Sequence, residues 1–465
     1  MNRSIIHKLI SQGWLALSQI IFPLITYPIV TRALGAQALG KVNFTDSVVQ
    51  MVLILAGFGI PLYGIRETAI RKNNTKAQST LFWELFFLQL LILLPAVLLL
   101  FLLGSFSHID HDLLWTGMIA LAFSLLSCDW FLQGNEKFRF VAIRSIIIRT
   151  IGVVLIYLFV KTPKDAILYY IILTGAVVAT MLLNFLKISS FMRFSFGSIK
   201  PFHHLRKISW VYACYVLASV YAVLDSLMLG WMSTESVVGY YSVGYRIVRM
   251  SAMLLPTLGL VFIPAISFQH AEADKRNMER QVRTSLYIIF IFGIPLSVSF
   301  LVLAPEIIGI FATPAFNPSI PVIRILSAVP LLVSFSHLTG TQVLVSTQKE
   351  KTYFRFLLFG CLIDLFLDLL LIPMLHEQAA AIANVATEAF LAIGTLVYLR
   401  RADFFSLPSR LIASCFFSSL LLWPLVLLMR WLNLSSLLVL VCSLLLFAAI
   451  YLSIQLRIIF KNMEL

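Results

Sequence analysis

The stretch Thr31-Arg-Ala-Leu-Gly-Ala-Gln-Ala-Leu-Gly-Lys-Val-Asn-Phe-Thr-Asp46 decides the fold of this 465-residue chain. It is a short, glycine-marked segment between two long apolar runs, and the second run ends in Gly59-Ile-Pro-Leu-Tyr-Gly-Ile-Arg-Glu-Thr-Ala69. Runs of about 20 apolar residues are long enough to cross a bilayer as helices. The stretch therefore predicts a helical hairpin within a membrane, with charged residues where the helices end.

The composition extends this interpretation to the whole chain. It is 60% hydrophobic and 12% charged, with a mean hydropathy index of +0.94, whereas a soluble domain carries about 25% charged residues. Only helices and closed barrels satisfy their backbone groups in lipid, and the alternating pattern of a membrane barrel is absent. We therefore predict an all-α, polytopic membrane protein. Its net charge of +14 does not indicate nucleic-acid binding, because the basic residues cluster between apolar runs.

Fourteen apolar spans are predicted. By residue number they are 10–31, 46–65, 81–103, 113–133, 141–160, 165–186, 209–231, 237–266, 284–304, 320–346, 353–373, 378–399, 409–429 and 434–456. Of the 35 Lys and Arg residues, 26 lie in one alternating set of connecting segments and five in the other. Since cytoplasmic loops carry the excess of basic residues, both termini are predicted to be cytoplasmic.

An internal repeat predicts how these spans are organised. Leu34-Gly35 followed by Gly40 resembles Leu229-Gly230 followed by Gly239. Repeats of six spans insert with the same orientation, so we predict two six-helix lobes related by a pseudo-two-fold axis along the membrane normal, with a cavity between them. The predicted boundaries are 1–190 for the N-terminal lobe, 191–208 for a solvated cytoplasmic linker, 209–400 for the second lobe, and 401–465 for an additional helix pair and tail.

Four arginines lie a full turn or more inside the predicted spans, where a charge is costly and normally faces a cavity or a partner. Arg149, Arg246 and Arg249 are about 12–18 Å deep at a rise of roughly 1.5 Å per residue. Arg324 lies about one turn into its span. Arginine keeps its charge and binds phosphate with two parallel hydrogen bonds, so we predict an anion-binding cavity. The alternative is that each arginine pairs with an acid inside the membrane.

Four acids lie well inside the predicted spans, five residues or more from either end. Asp364 and Asp368 are one turn apart on one helix face, Glu388 lies midway along the next span, and Asp225 lies in the seventh. Buried carboxylates of this kind suit proton or sodium coupling. Ion pairing within the protein is the alternative. No catalytic or metal-ligand motif occurs in the chain, so we expect no enzyme activity, metal or cofactor.

Several motifs give the chain a family resemblance. They are Thr31–Phe44, Gly59–Ala69, Asp129-Trp-Phe-Leu-Gln-Gly-Asn-Glu-Lys-Phe138, Leu224-Asp-Ser-Leu-Met-Leu-Gly230 with Val238-Gly-Tyr-Tyr-Ser242, and Ala304-Pro-Glu-Ile-Ile308 with Pro321-Val-Ile-Arg-Ile-Leu326. With these motifs the chain resembles the Wzx-like polysaccharide flippases of the multidrug/oligosaccharidyl-lipid/polysaccharide exporter superfamily. The resemblance covers roughly residues 1–400.

The resemblance implies a function. A flippase of this kind moves an undecaprenyl-diphosphate-linked oligosaccharide, of O-antigen, capsule or another glycan, to the outer leaflet of the bacterial inner membrane by alternating access. Polysaccharide polymerase and chain-length proteins are the implied protein partners, and one chain with two lobes is expected to work as a monomer. From the residues, deep arginines would hold the diphosphate, with Arg32 and Arg66 as secondary candidates near the ends of the hairpin.

Three alternatives stay open. A multidrug or cation exporter of the same superfamily would have a cavity dominated by acids and aromatics. A glycan polymerase would need a larger outer loop with reactive side chains. A membrane scaffold would not need deep charges.

Overall fold

The computed structural model describes residues 3–106, 109–189, 200–207, 210–259, 262–272, 274–400 and 408–463. All regular structure within these ranges is helical. The α-helices are α1 Arg3–Gly57, α2 Ile60–Ile70, α3 Thr75–Phe106, α4 His111–Phe123, α5 Asp129–Gly134, α6 Phe138–Phe159, α7 Ala166–Ser189, α8 Trp210–Met232, α9 Glu235–Ala252, α10 Leu254–Gly259, α11 Ile263–Ala271, α12 Lys275–Phe311, α13 Ser319–Leu326, α14 Val329–His337, α15 Glu350–Leu375, α16 Glu377–Arg400, α17 Ser409–Ser419, α18 Leu422–Trp431 and α19 Ser436–Met463. A 3₁₀ helix covers Pro201–Lys207, and a π-helix covers Leu338–Val345.

The all-α membrane fold is confirmed. Twelve helical segments of the described residues are long and apolar enough to cross a membrane, compared with fourteen predicted spans. Two features account for the difference. The first two predicted spans form the continuous segment Ile21–Ile70, and the predicted span 237–266 is divided among α9, α10 and α11. The count of fourteen stays a prediction.

The predicted hairpin segment is more helical than its glycines suggested. A single residue, Gly35, interrupts α1, with φ 70° and ψ 179°. Gly40 lies within the helix at a point of close approach: a Cβ added there would overlap the backbone of Glu235 and approach the Gly239 nitrogen. A Cβ on Gly239 would likewise overlap the backbone of Ala36. The two glycines of the repeat therefore allow α1 and the start of α9 to touch through their backbones.

The chain divides into two compact units, unit 1 (Met1–Gly239) and unit 2 (Tyr240–Leu465). In unit 1, the two motifs Gly59–Ala69 and Asp129–Phe138 pack against each other. Gly64 lies against the ring of Trp130, and Gly134 lies against Thr68. Tyr63 and Trp130 belong to a buried aromatic cluster together with Phe82. These two motifs of the family resemblance therefore share one hydrophobic core in unit 1.

Candidate functional site

Unit 1 contains a cavity of about 360 Å³ that is lined by two arginines of α6, Arg144 and Arg149. Asp129, at the start of α5, and Thr180 of α7 also line it. Helix α6 presents an apolar face to the membrane, where Ile147 and Ile151 are about half exposed. Arg149 lies on the opposite face of α6 from these two isoleucines, as expected for a charge, which is costly in lipid.

Arg144 is buried and held by three side chains. Its Nη2 donates to Asp129 Oδ1 at 3.1 Å and to Ser145 Oγ at 3.2 Å, and its Nη1 donates to Asn184. The carboxylate of Asp129 balances its charge. Arg144 therefore forms a fixed, charge-neutral wall of the cavity.

Arg149 is half-buried, and its Nη1 donates to the hydroxyl of Ser18 at 3.0 Å. A hydroxyl carries no net charge, so this contact positions the guanidinium without neutralising it. Two arginines and one carboxylate give the lining a net charge of about +1, with amide and hydroxyl groups around it. Such a lining can bind an anion that also carries hydroxyl groups, such as a phosphorylated sugar.

In unit 2, Arg249 has a carboxylate partner. Its Nη1 lies 3.2 Å from Glu388 Oε1, and the other oxygen of Glu388 accepts from Ser336 Oγ at 3.2 Å. Glu388 is buried on α16, whereas Arg246, one turn before Arg249 on α9, is half-buried. From the sequence, pairing with an acid was the alternative to an anion-binding role for each arginine. For Arg249, the structure shows such an ion pair.

Asp364 and Asp368 lie one turn apart on α15, and both are fully buried. Their carboxylate oxygens lie within 4.8 Å of each other, and Thr387 Oγ1 donates to Asp364 Oδ1 at 3.2 Å. Two negative charges this close inside a protein repel each other strongly. The pair can therefore take up a proton or a small cation. Asp225, also buried, belongs to α8 in unit 1.

The remaining predicted arginines lie elsewhere. Arg32 on α1 and Arg66 on α2 are exposed, as is Arg324 on α13. Arg324 lines a different cavity, in unit 2, beside Arg430. Of the six predicted substrate-binding arginines, Arg149 alone lines the cavity of unit 1.

Sequence reasoning missed Arg144, because it was counted with the basic cytoplasmic segment before its span. It also misjudged His204, which was expected in a solvated linker. His204 is 2% exposed. Its Nδ1 lies 2.7 Å from the Tyr63 hydroxyl, and its Nε2 lies 2.9 Å from Glu84 Oε2. Glu84 also accepts a hydrogen bond from the backbone N–H of Lys200 at 3.1 Å, so this part of the predicted linker packs against α3 of unit 1.

A family model described as "Polysaccharide biosynthesis protein" matches residues 9–270, more than half of the chain. The chain belongs to this family. A second model, MatE, matches residues 213–370. The resemblance to polysaccharide flippases of the exporter superfamily is confirmed.

Named relatives are distant; one covers most of the chain and another covers about half of it. A putative O-antigen transporter of Escherichia coli (strain K12) is 23% identical over 86% of this chain and 97% of its own length. A probable low-salt glycan biosynthesis flippase, Agl15, of Haloferax volcanii is 25% identical over 52% of this chain and 50% of its own length.

Solved structures share the fold. The lipid II flippase MurJ, in an inward closed conformation, matches with a TM-score of 0.74 at 16% identity, over 96% of this chain and 99% of that one. A multidrug resistance MATE transporter, in an inward-facing conformation, matches with a TM-score of 0.64 at 14% identity, over 84% of this chain and 97% of that one. At these identities the likeness concerns the fold alone.

Proposed function

We propose that this protein is a flippase that moves a lipid-linked oligosaccharide across the bacterial inner membrane. The substrate class is an undecaprenyl-diphosphate-linked repeat unit, carried from the cytoplasmic to the outer leaflet. The names of the family and of the relatives, O-antigen transporter and glycan flippase, support this proposal. Transport of this kind breaks no covalent bond, which agrees with the absence of catalytic motifs in the sequence.

The observation that carries the proposal is the cavity of unit 1 with Arg149 in its wall. A lipid-linked oligosaccharide presents a diphosphate and many hydroxyl groups, and it leaves its prenyl chain in the hydrocarbon. Arg149 would bind the diphosphate or an acidic sugar, while Gln133 and Thr180 offer hydrogen bonds to sugar hydroxyls. Arg144, held by Asp129, would keep the wall rigid. Arg246 and Arg249 remain further candidates on α9.

Asp364 and Asp368 support ion coupling. A transporter that alternates between two access states needs a group whose charge is neutralised in one state only. The two buried carboxylates on α15, with the Thr387 hydroxyl beside them, provide such a group for a proton or sodium ion. Glu388 has a different role in this proposal, since it neutralises Arg249. Asp225 stays a separate candidate for coupling.

A multidrug or cation exporter is the second candidate. The buried acid pair of α15 favours it, because an acidic site binds organic cations, and the MATE-like fold permits it. The position of Arg149 disfavours it, since an arginine with a hydroxyl partner repels a cation. An organic cation that stimulates ion flux through the reconstituted protein would support this second function.

One experiment tests the main proposal. The gene is deleted, and the leaflet on which complete lipid-linked units accumulate is measured with a membrane-impermeant glycan probe. A flippase predicts accumulation on the cytoplasmic leaflet and restoration by the wild-type gene. Normal translocation with shortened polymer would instead indicate a polymerase and would overturn the proposal. Co-purification with polymerase and chain-length proteins, and the expected monomer, are separate questions for the complemented strain.

A further inference from the structure

A second cavity, of about 440 Å³, lies in unit 2 between α12, α13 and α18. Trp423, Val426 and Leu427 give it an apolar wall, and its two charged lining residues are Arg324 and Arg430. An apolar wall beside basic groups fits a molecule that has a hydrocarbon part and one anionic group.

The charges of this cavity do not cancel. Arg430 binds Glu306 through two bonds, from Nε to Oε1 at 2.7 Å and from Nη2 to Oε2 at 2.9 Å, and its Nη2 also donates to the Val302 carbonyl at 3.1 Å. This bidentate pair is neutral as a unit, and it fixes the guanidinium in place. Arg324 is exposed and adds a positive charge. The cavity therefore carries a net charge of about +1.

The arginines lie at a level that suits a lipid headgroup. Arg430 is the penultimate residue of α18, and Arg324 is the sixth residue of α13. At a rise of about 1.5 Å per residue, both are within roughly 8 Å of a helix end. Trp431, which is 77% exposed beside Arg430, has the position of an interfacial anchor. The apolar wall continues from this level along α18.

We propose that this cavity binds an anionic phospholipid of the bilayer. The phosphodiester lies between Arg324 and Arg430, and an acyl chain lies along Trp423, Val426 and Leu427. Charge complementarity selects an anionic lipid over a zwitterionic one, because the latter brings a cationic group to a site that is already positive. A free phosphate would leave the apolar wall uncovered. The site is separate from the cavity of unit 1 and does not depend on the transported substrate.

The test is native mass spectrometry of the purified full-length protein with phosphatidylglycerol and, separately, with phosphatidylethanolamine of the same chains. We expect tighter binding of the first phosphatidylglycerol molecule. Arg324→Gln should weaken it about tenfold, because a hydrogen bond to a charged group contributes about one decade of affinity or more. Arg280→Gln removes the same charge from an exposed position near the other end of α12 and should leave this binding unchanged.

Glu306→Gln is an informative second variant, since it releases Arg430 from its counter-charge and should strengthen phosphatidylglycerol binding. Equal binding of the two lipids, or equal weakening by Arg324→Gln and Arg280→Gln, overturns the proposal. Binding of inorganic phosphate at the same affinity as the lipid shows a free-anion site and also overturns it. So does preferential, Arg324-dependent binding of a polyprenyl diphosphate, which would assign the cavity to the transported lipid.

Discussion

Units 1 and 2 each hold a half-buried arginine that the sequence places inside a predicted span, but the partners of these arginines differ. Arg149 of unit 1 donates to the Ser18 hydroxyl and lines a cavity. Arg249 of unit 2 lies against the carboxylate of Glu388, which Ser336 also binds. A hydroxyl positions a guanidinium and leaves its charge in place, whereas a carboxylate neutralises it. Depth in the membrane alone therefore does not identify a substrate-binding arginine, and the partner has to be known as well.

The largest expected effect concerns Arg149. Arg149→Ala should lower export by about 30-fold or more, because a lost charged contact to a bound anion costs about 2 kcal/mol or more. Arg149→Lys should recover part of the activity, since it keeps the charge but not the two-pronged geometry. The measurement is leaflet-specific quantification of lipid-linked units at matched protein abundance. Ser18→Ala is the comparison variant, and we expect a smaller loss than for Arg149→Ala, because it removes a positioning contact and leaves the charge of Arg149 in the cavity. Normal export by the Arg149→Ala variant would show that Arg149 does not bind the substrate. The difference in partner between Arg149 and Arg249 would then have no bearing on transport.

The second prediction concerns stability in unit 2. Arg249→Ala leaves Glu388 buried without this counter-charge and should destabilise the protein by about 3 kcal/mol, whereas Arg249→Ala with Glu388→Gln should recover most of the loss. Thermal unfolding in detergent measures the stability of the single and the double variant. If export is also recovered in the double variant, the arginine acts mainly as a structural partner. If stability returns and export does not, Arg249 also contacts substrate, and the two units are more alike than their partners suggest.

The acid pair of unit 2 provides the third prediction. Asp364→Asn and Asp368→Asn should each reduce the stimulation of export by an imposed pH or sodium gradient by about tenfold, within the usual range of coupling free energies. Basal, gradient-independent movement should change less, because neither carboxylate lines the cavity of unit 1. Proteoliposomes with imposed gradients separate the two quantities. Unchanged gradient dependence in both variants would contradict the proposal that this acid pair couples export to an ion gradient.

The smallest effect is expected at Asp129. Asp129→Asn should change stability by about 1 kcal/mol or less, since the asparagine oxygen can still accept from Arg144, which also keeps its bonds to Asn184 and Ser145. The same variant makes the cavity of unit 1 more positive, so the apparent affinity for an anionic substrate should rise or stay constant. A large loss of export would show that Asp129 itself contacts the substrate.

The sequence predicted those features that depend on composition and local pattern. Continuous apolar runs predicted the membrane helices, and the motifs Gly59–Ala69 and Asp129–Phe138 predicted the family. It did not predict that these motifs pack against each other, because residues far apart in sequence meet only through the fold. The division of the predicted span 237–266 into α9, α10 and α11 was not predicted, although Pro256 and Pro264 lie near the starts of α10 and α11.

The candidate site was only partly predictable. The depth of Arg149 could be counted along its helix, but its contact with Ser18 joins residues 131 positions apart. Arg144 lies near a helix end, where a basic residue is usually a solvated flank, and only its burial separates it from that group. His204 was misjudged for a related reason. A histidine in a basic segment has no local signal for the Tyr63 and Glu84 side chains that bury it.

The contacts of His204 also bear on how the protein is made. Glu84 is synthesised 120 residues before the histidine that it binds. At about 5–20 residues per second, roughly 6–24 s of translation separate the two side chains. During that time α2 and α3 can enter the membrane, but the polar network at their end is incomplete. The nascent N-terminal unit thus gains the side-chain contacts of His204 only after residue 204 has left the ribosome.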